Sequence, residues 1–411
     1  MSIPLRAALI LSACLSSAAF AQAQPLTLDD ALRRALAASP QGASSAARVE
    51  ALSAARTVAG LPPQPSIDVM TENFGPPSRD LYDQFQVTGS YSQRIERGGK
   101  REARVAVADR DIDLARAQSI AQRLDMIVAV QRLYVEAQAE EAILATARER
   151  LATAEDVERE VRRRVSSARD PVFAGSRART AVAEAKLNME LAIHRRDAAL
   201  VRLAAYWGGK GEDWTVSSAG FLSFVSPHGP QPIAEADLAV ADARGRRADA
   251  AIDLERSNAV RDPTLTAGPR YIRTGGVGFV AGVSIPIGGR RLNQARLAEA
   301  QAEQRRTQAD VAMQRAERER AIMLSVEEVD ESRHEAEELR DKVIPAAEKT
   351  LTEVRLGYGR GFFSFADVNA AQTVLTDARV RMLDAARRYH DARVDLDRQT
   401  GRFTIIAQET Y

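Results

Sequence analysis

Residues 84–101 read QFQVTGSYSQRIERGGKR. From Gln84 to Ile95 the odd positions hold Phe85, Val87, Gly89, Tyr91, Gln93 and Ile95, and the even positions hold Gln84, Gln86, Thr88, Ser90, Ser92 and Arg94. A period of two with one greasy and one polar side predicts a β-strand that is apolar on a single face. Gly98-Gly99 ends it, and Lys100-Arg101 opens a helical pattern. The strand reaches the ~9–11 residues that cross a bilayer at a barrel tilt. A half-buried soluble hairpin would show the same alternation, so the surrounding sequence decides.

That surrounding sequence occurs twice. VTGSYSQ followed by GGKREAR returns after Phe279 as VAGVSIP followed by GGRRLNQAR; Val87 matches Val280 at an offset of 193, and Val161 matches Val354 at the same offset. In the second unit Val277, Phe279, Ala281, Val283, Ile285 and Ile287 alternate with mostly small residues. Segments beginning Ser66-Ile67-Asp68-Val69 and Thr264-Leu265-Thr266-Ala267 precede the two strands as hairpin partners, giving four strands. Each unit has the same order: a helix, the two extended segments, a very long helix, a turn and a last helix. The expected divisions are a signal peptide at 1–23, a first repeat at 24–207, a linker at 208–230, a second repeat at 231–401 and a tail at 402–411.

In the first unit a helix is predicted from Thr27, its N-cap, to Ala59, with Asp29 and Asp30 favouring the positive end of the helix dipole. Leu61-Pro62-Pro63 stops it. The long helix runs from Lys100 to Ser167, with Ile120, Leu124, Ile127, Tyr134, Leu144, Leu151, Val157, Val161 and Val165 at spacings of three, four and seven, a coiled-coil-like stripe. Asp170 is the expected N-cap and Pro171 the first residue of the next helix, which ends at Tyr206-Trp207 before Gly208-Gly209. At ~1.5 Å per residue the long helix spans ~100 Å, and the two shorter helices together have nearly the same length. The second unit repeats this, with Pro232 to Arg261 and Gly361 to Gly401 against Arg290 to Gly357. Paired rods of equal length have no third layer over their apolar stripes, so they call for neighbouring copies. A hairpin at the end of such a rod has no helix beside it, and lipid is the cover left. Four strands cannot close a barrel, since barrels begin at about eight, so several chains must contribute.

Residues 1–23 have a basic residue at Arg6, an apolar run from Ala7 to Leu15, and the small-x-small sites Ala19-Phe20-Ala21 and Ala21-Gln22-Ala23, the pattern of an export signal. Leu11-Ser12-Ala13-Cys14 also resembles a lipobox, which would make Cys14 the lipidated first residue of the mature chain. Cys14 is the single cysteine of 411 residues, so a disulfide framework is excluded. With 57 basic against 56 acidic side chains, the chain lacks the excess of cations that nucleic-acid binding needs.

Export, the duplicated architecture, the exits Gly98-Gly99-Lys100-Arg101 and Gly288-Gly289-Arg290-Arg291, and the turn Tyr358-Gly359-Arg360-Gly361-x-x-Ser364-x-x-Asp367-Val368 together resemble the TolC-like outer-membrane factor family, from about Leu26 to Gly401. The strand exits from Gln93 to Arg101 and from Ile285 to Arg291 look most like the CzcC-type heavy-metal efflux branch. The resemblance implies a mainly α chain with a small β part: duplicated long helical hairpins building a periplasmic barrel, and four strands contributing to a trimeric 12-stranded barrel in outer-membrane lipid. It implies a homotrimer working with a periplasmic adaptor (membrane fusion) protein and an inner-membrane, proton-driven RND-type pump, with divalent metal cations as cargo. Drug export or type I secretion through the same channel, and a periplasmic coiled-coil adaptor or scaffold without a pore, are the competing readings; the last leaves both hairpins unused.

The resemblance also implies a narrow tunnel end near the long-helix turns, often with an acidic ring. Glu160 and Glu353, again 193 apart, are the aperture candidates. Tyr358, Gly359, Arg360, Gly361, Ser364 and Asp367, with Arg169 and Asp170 of the first turn, are the expected adaptor-contacting tip; the first turn departs from the glycine-rich pattern. Phe85, Val87, Tyr91, Phe279 and Val283 are the expected lipid-facing residues. His194, His228, His334 and His390 are scattered, so no metal site is expected. Gly98-Gly99-Lys100-Arg101 lacks the remaining residues of a phosphate-binding loop and reads as a strand-to-helix turn whose basic residues face anionic headgroups. No cofactor and no enzymatic activity are expected.

Overall fold

The computed structural model describes residues 24–73, 83–227, 229 and 231–409; the signal segment 1–23 with Cys14, and His228, lie outside the described residues. The chain starts with β1 (Gln24–Pro25), then α1 (Leu28–Ala38) and α2 (Pro40–Ala59). Thr27 caps α1 as expected, its Oγ1 accepting from the Asp30 N–H at 3.2 Å. The single helix expected to Ala59 is instead broken at Ser39. A residue preceding proline is pushed out of the helical region, and Ser39 is extended (φ −70°, ψ 124°), with its Oγ accepting from the Gln41 N–H to start α2.

Strands β2 (Ser66–Glu72) and β3 (Gln86–Arg94) follow, then α3 (Lys100–Ser166), 67 residues without interruption, and α4 (Val172–Ala204). A short strand β4 (Trp214–Thr215) pairs in parallel with β1. The second unit comprises α5 (Glu235–Asn258), β5 (Thr264–Ile272), β6 (Gly276–Ser284), α6 (Arg290–Glu338), α7 (Ile344–Arg360), α8 (Phe365–Thr400) and α9 (Thr404–Glu409). Between α6 and α7 the rod continues through one π turn, Leu339–Val343. Pro345 is the cause: it has no N–H and its ring crowds the carbonyl one turn back, and the extra residue of a π turn relieves both.

The short helices do stack end to end along the long ones. Toward the sheet the packing order is α2, α3, α5, α6; toward the far tip it is α4, α3, α8 and the α6–α7 rod. One lateral edge of the stem is therefore α2 with α4, and the other is α6 with α7. The layer is thin, and alanine makes it so. Ala178, Ala185, Ala192 and Ala199 recur every seventh residue of α4, each 0–1% exposed, letting α4 lie close against α3. Larger side chains gather in two places, around Leu32, Leu124, Ile127 and Leu203 at mid-stem and around Val161, Leu351 and Val368 near the tip.

The two expected hairpins join edge to edge in one antiparallel sheet of order β2-β3-β5-β6. Residues directly opposite share a face. Ile67 pairs with Tyr91, Thr71 with Val87, Val87 with Tyr271, Leu265 with Val283, Ala267 with Ala281, and Tyr271 with Val277. The other face is mostly polar or small, with Ser66, Asp68, Thr88, Ser90, Ser92, Thr266, Arg270 and glycines, and Met70, Ile272 and Val280 among them. The 193 offset fails here. Val87 is on the apolar face and Val280, opposite Gly268, is on the polar one. The glycine exits, Gly99 and Gly289, are 190 apart (99 to 289), and an odd slip in register exchanges the faces of a strand.

Between Thr88↔Arg270 and Tyr91↔Ala267 the pairing of β3 with β5 lapses. Pro269 has no N–H to donate there, and the backbones pinch: a Cβ on Gly268 would lie 1.9 Å from the Gly89 carbonyl oxygen and 2.7 Å from Ser90 Cα. Gly268→Ala is therefore expected to force the strands apart at a cost of about 1–3 kcal/mol and to reduce the heat resistance of the assembled protein on gels. An unchanged melting profile would show that the pinch is dispensable.

Candidate functional site

Two regions of the molecule carry features that the folding of one chain does not use: the sheet and the opposite tip. On the sheet, Ile67 (80% exposed), Val277 (76%), Phe279 (75%) and Tyr91 (51%) stand on one face with no protein over them, and Val283 is exposed beside them. Val87 lies on this face half-buried, and Phe85, also half-buried, sits just before β3, its carbonyl accepting from the Arg273 N–H at 3.0 Å. Ile67, Val69, Leu265 and Tyr271 belong to the same face. The alternation in β2 and β5 is shorter than in β3, which is why sequence reasoning left them out. Nine residues at ~3.4 Å, tilted ~40°, span ~23 Å along the normal of a membrane, the height of a barrel's apolar band.

At the sheet's base the exit from β3 is clamped by a carboxylate absent from the motif. Asp262 is buried and accepts from Lys100 Nζ at 2.7 Å, Arg94 Nη2 at 2.7 Å and the Arg97 N–H at 3.0 Å, while Lys100 Nζ also donates to the Val260 carbonyl at 2.6 Å. Burial works to raise the Asp262 pKa, but the hydrogen bonds from Lys100, Arg97 and Arg94 outweigh it and hold the carboxyl below its usual range. This corrects the expectation for the first exit: Lys100 is 6% exposed and faces Asp262, not lipid headgroups. A buried ion pair is the stronger requirement, because an unpaired ammonium would be desolvated.

At the tip the turn after α3 and the turn after α7 are tied together. Arg164, buried on α3, donates to Asp170 through Nε (3.1 Å) and Nη2 (3.2 Å) and to the Tyr358 carbonyl through Nη1 (2.7 Å), with its guanidinium 4.5 Å from the centre of the Tyr358 ring. The Tyr358 hydroxyl donates to Asp170. Burial and the Asp170 carboxylate push the Tyr358 phenol well up; burial also opposes the Asp170 charge, but Arg164 and Tyr358 prevail and keep that carboxyl low. Asp170 is thus not the N-cap of α4. Pro171 occupies that position without a side-chain bond, since the Arg164 fork takes the carboxylate instead.

The other tip residues have local tasks. Ser364 and Asp367 form a reciprocal capping box, Asp367 Oδ2 accepting from the Ser364 N–H at 2.8 Å. Gly361 takes φ 89°, and the first turn puts Ala168 in the same left-handed region at φ 57°. Gly359, Arg360 and Arg169 are exposed, whereas Tyr358 is buried at 3%. Glu353 is 65% exposed at its side chain and 4.0 Å from Lys349; Glu160 pairs with Arg163. Arg164, and the exposed Phe362, Val172 and Phe173 beside the turns, were missed. An arginine among many on a charged helix gives no sequence signal, but apolar residues flanking a turn do.

Asp170→Asn is expected to remove about 1.5–3 kcal/mol of charge-assisted bonding and to raise amide exchange at least tenfold in the two turns while leaving the sheet unchanged. Because the folded pKa is depressed, the clamp contributes above the unfolded value of ~3.9 and is lost as pH falls through the folded one. Equal exchange in both proteins would mean that the turns are held otherwise.

The outer membrane efflux protein family model matches residues 31–209. The cobalt-zinc-cadmium resistance protein CzcC of Cupriavidus metallidurans is 26% identical over 92% of this chain and 91% of its own. The nickel and cobalt resistance protein CnrC of the same organism is 31% identical over 62% of each chain. The crystal structure of the outer membrane protein VceC from Vibrio cholerae superposes with a TM-score of 0.70 over 91% of this chain and 96% of that one, at 18% identity. An amphipathic sheet carried on a paired-rod stem defines the protomer of an outer-membrane channel that extends into the periplasm. Residues 31–209 thus carry the likeness to the outer membrane efflux protein family, and the fold of stem and sheet together is shared with the solved outer-membrane protein.

Proposed function

We propose that three copies close their sheets into a 12-stranded barrel and their stems into a periplasmic tunnel. The tunnel takes divalent heavy-metal cations from a proton-driven RND-type inner-membrane pump through a periplasmic adaptor. The observation that carries the reading is the sheet, with one predominantly apolar face exposed and both edge strands, β2 and β6, without an outer partner among the described residues. Unpaired edges at membrane depth leave backbone groups unsatisfied, so closure is required. β2 and β6 run in opposite directions, so β6 of one copy meets β2 of the next as an antiparallel pair. The stem agrees: exposed apolar residues lie along both edges, Leu187 and Leu191 on α4, Met323 and Leu324 on α6. Two unlike edges make a head-to-tail contact, which closes as a ring.

The metal cargo rests on the relatives named for cobalt, zinc, cadmium and nickel resistance. Deleting the gene should sensitise its host to these cations, and the restored protein should conduct in planar bilayers. Unchanged metal tolerance alongside new sensitivity to organic drugs would reassign the cargo. Glu353→Ala should lower cation preference in the same bilayers, by less than an unpaired acid would, because Lys349 already offsets part of its charge. Unaltered selectivity would remove Glu353 from the aperture.

A further inference from the structure

The chain holds both halves of a junction it makes only once. Within one copy, the exit of β3 lies against the entry to β5. The Ile95 N–H donates to the Pro263 carbonyl at 2.9 Å, Lys100 reaches Asp262 and the Val260 carbonyl, and Gly98 sits so close beneath Val260 that a Cβ there would be 2.6 Å from Val260 Cβ. The repeat supplies a second exit, Ile285 to Arg290, and a second entry, Leu61 to Pro65, at opposite edges of the same sheet. Neither has its counterpart. A Cβ on Gly288 or Gly289 would meet nothing within 4 Å, Ile287 is 91% exposed, and Leu61 is 54% exposed.

We infer that adjoining copies rebuild this junction in trans: the exposed Pro62 of one copy covers Gly288 of the next as Val260 covers Gly98, and Arg290, in the place of Lys100, donates to Gln64 and to the Pro62 carbonyl. The inference rests on the closed-barrel reading and names its seam. Continuity with the seam inside the chain is the argument for a second copy as occupant. The two seams differ in chemistry. Gln64 stands where Asp262 does, and from Ala51 to Ile67 there is no acidic residue. Pro286 and Ile287 replace Glu96 and Arg97. The seam inside a copy is an ion-pair cluster, and the seam between copies is an apolar contact with one cation held by neutral acceptors.

The test uses the full-length protein in outer-membrane preparations carrying Gln64→Cys with Arg290→Cys, the wild type serving as the control for Cys14. Within one copy the two positions lie at edges three strand spacings, ~14 Å, apart, beyond the 4.4–6.8 Å Cα separation of a disulfide. Oxidation should therefore yield reducible dimers and closed trimers in the double variant and in neither single one. Arg290→Glu should lower trimer yield at least tenfold, and adding Gln64→Lys should restore it. Glutamate at the first position of α6 suits the helix dipole, so a loss there is not a loss of the helix. Trimers on native gels without cross-linking at 64 and 290, or with undiminished yield in Arg290→Glu, overturn the seam and leave the channel standing. A wild type that is monomeric in the membrane overturns the closed barrel itself.

Discussion

Asp262→Ala is expected to cost about 3–5 kcal/mol, because it leaves the Lys100 ammonium buried without its anion, and to abolish accumulation of folded protein in the outer membrane. Asp262 is 3% exposed and Lys100 6%, so water cannot take over the carboxylate's role. The clamp also sets geometry: it draws the end of β3, the Gly98-Gly99 turn and the entry to β5 to one point, and so fixes the angle at which sheet leaves stem. Replacing both partners, Asp262→Leu with Lys100→Met, should recover much of the loss, since an apolar pair of similar volume is often as stable as a buried ion pair. Denaturant titration of the two single variants and the double variant checks this as a mutant cycle. If Asp262→Ala loses less than 1 kcal/mol, the cluster is an ornament of the turn and does not hold the junction.

Phe279→Arg is the second large effect. Phe279 is near the middle of β6, 75% exposed on the apolar face, and arginine on the lipid side at the midplane costs about 2–4 kcal/mol. In a ring the penalty falls on every copy at once, so assembled protein should vanish from the membrane fraction. Val280→Arg, one residue on, points to the other face and should assemble normally while shifting the channel toward anions. The comparison of neighbours matters more than either result. Equal assembly of both variants would mean that the apolar face does not meet lipid.

Much of this was legible in the sequence because the periodicities are strong. β3 alternates over twelve residues, and the helices carry stripes at three, four and seven. What escaped lay in single residues acting at a distance. The helices predicted over Thr27–Ala59 and Arg290–Gly357 pass straight across Pro40 and Pro345, yet one proline breaks α1 from α2 and the other inserts a π turn. The buried ion pair of Lys100 needed Asp262, 162 positions further along (100 to 262), and no local pattern joins them. The repeat offset failed where it mattered most, since a match that serves a helix can place strand residues on opposite faces. The tip residues matched the family signature, but their tasks as cap, turn and clamp became visible only with the bonds of Ser364, Gly361 and Tyr358.

The two unlike edges of the protomer have a genetic consequence. A copy with a spoiled β6 edge and an intact β2 edge can still join a growing assembly, but it cannot let that assembly finish. In a ring of three drawn from equal amounts of sound and spoiled chains, only about one in eight is free of the defect. If three copies close as proposed, a fault confined to one rim of one subunit acts dominantly, and a cell with a good copy of the gene still loses most of its conduits.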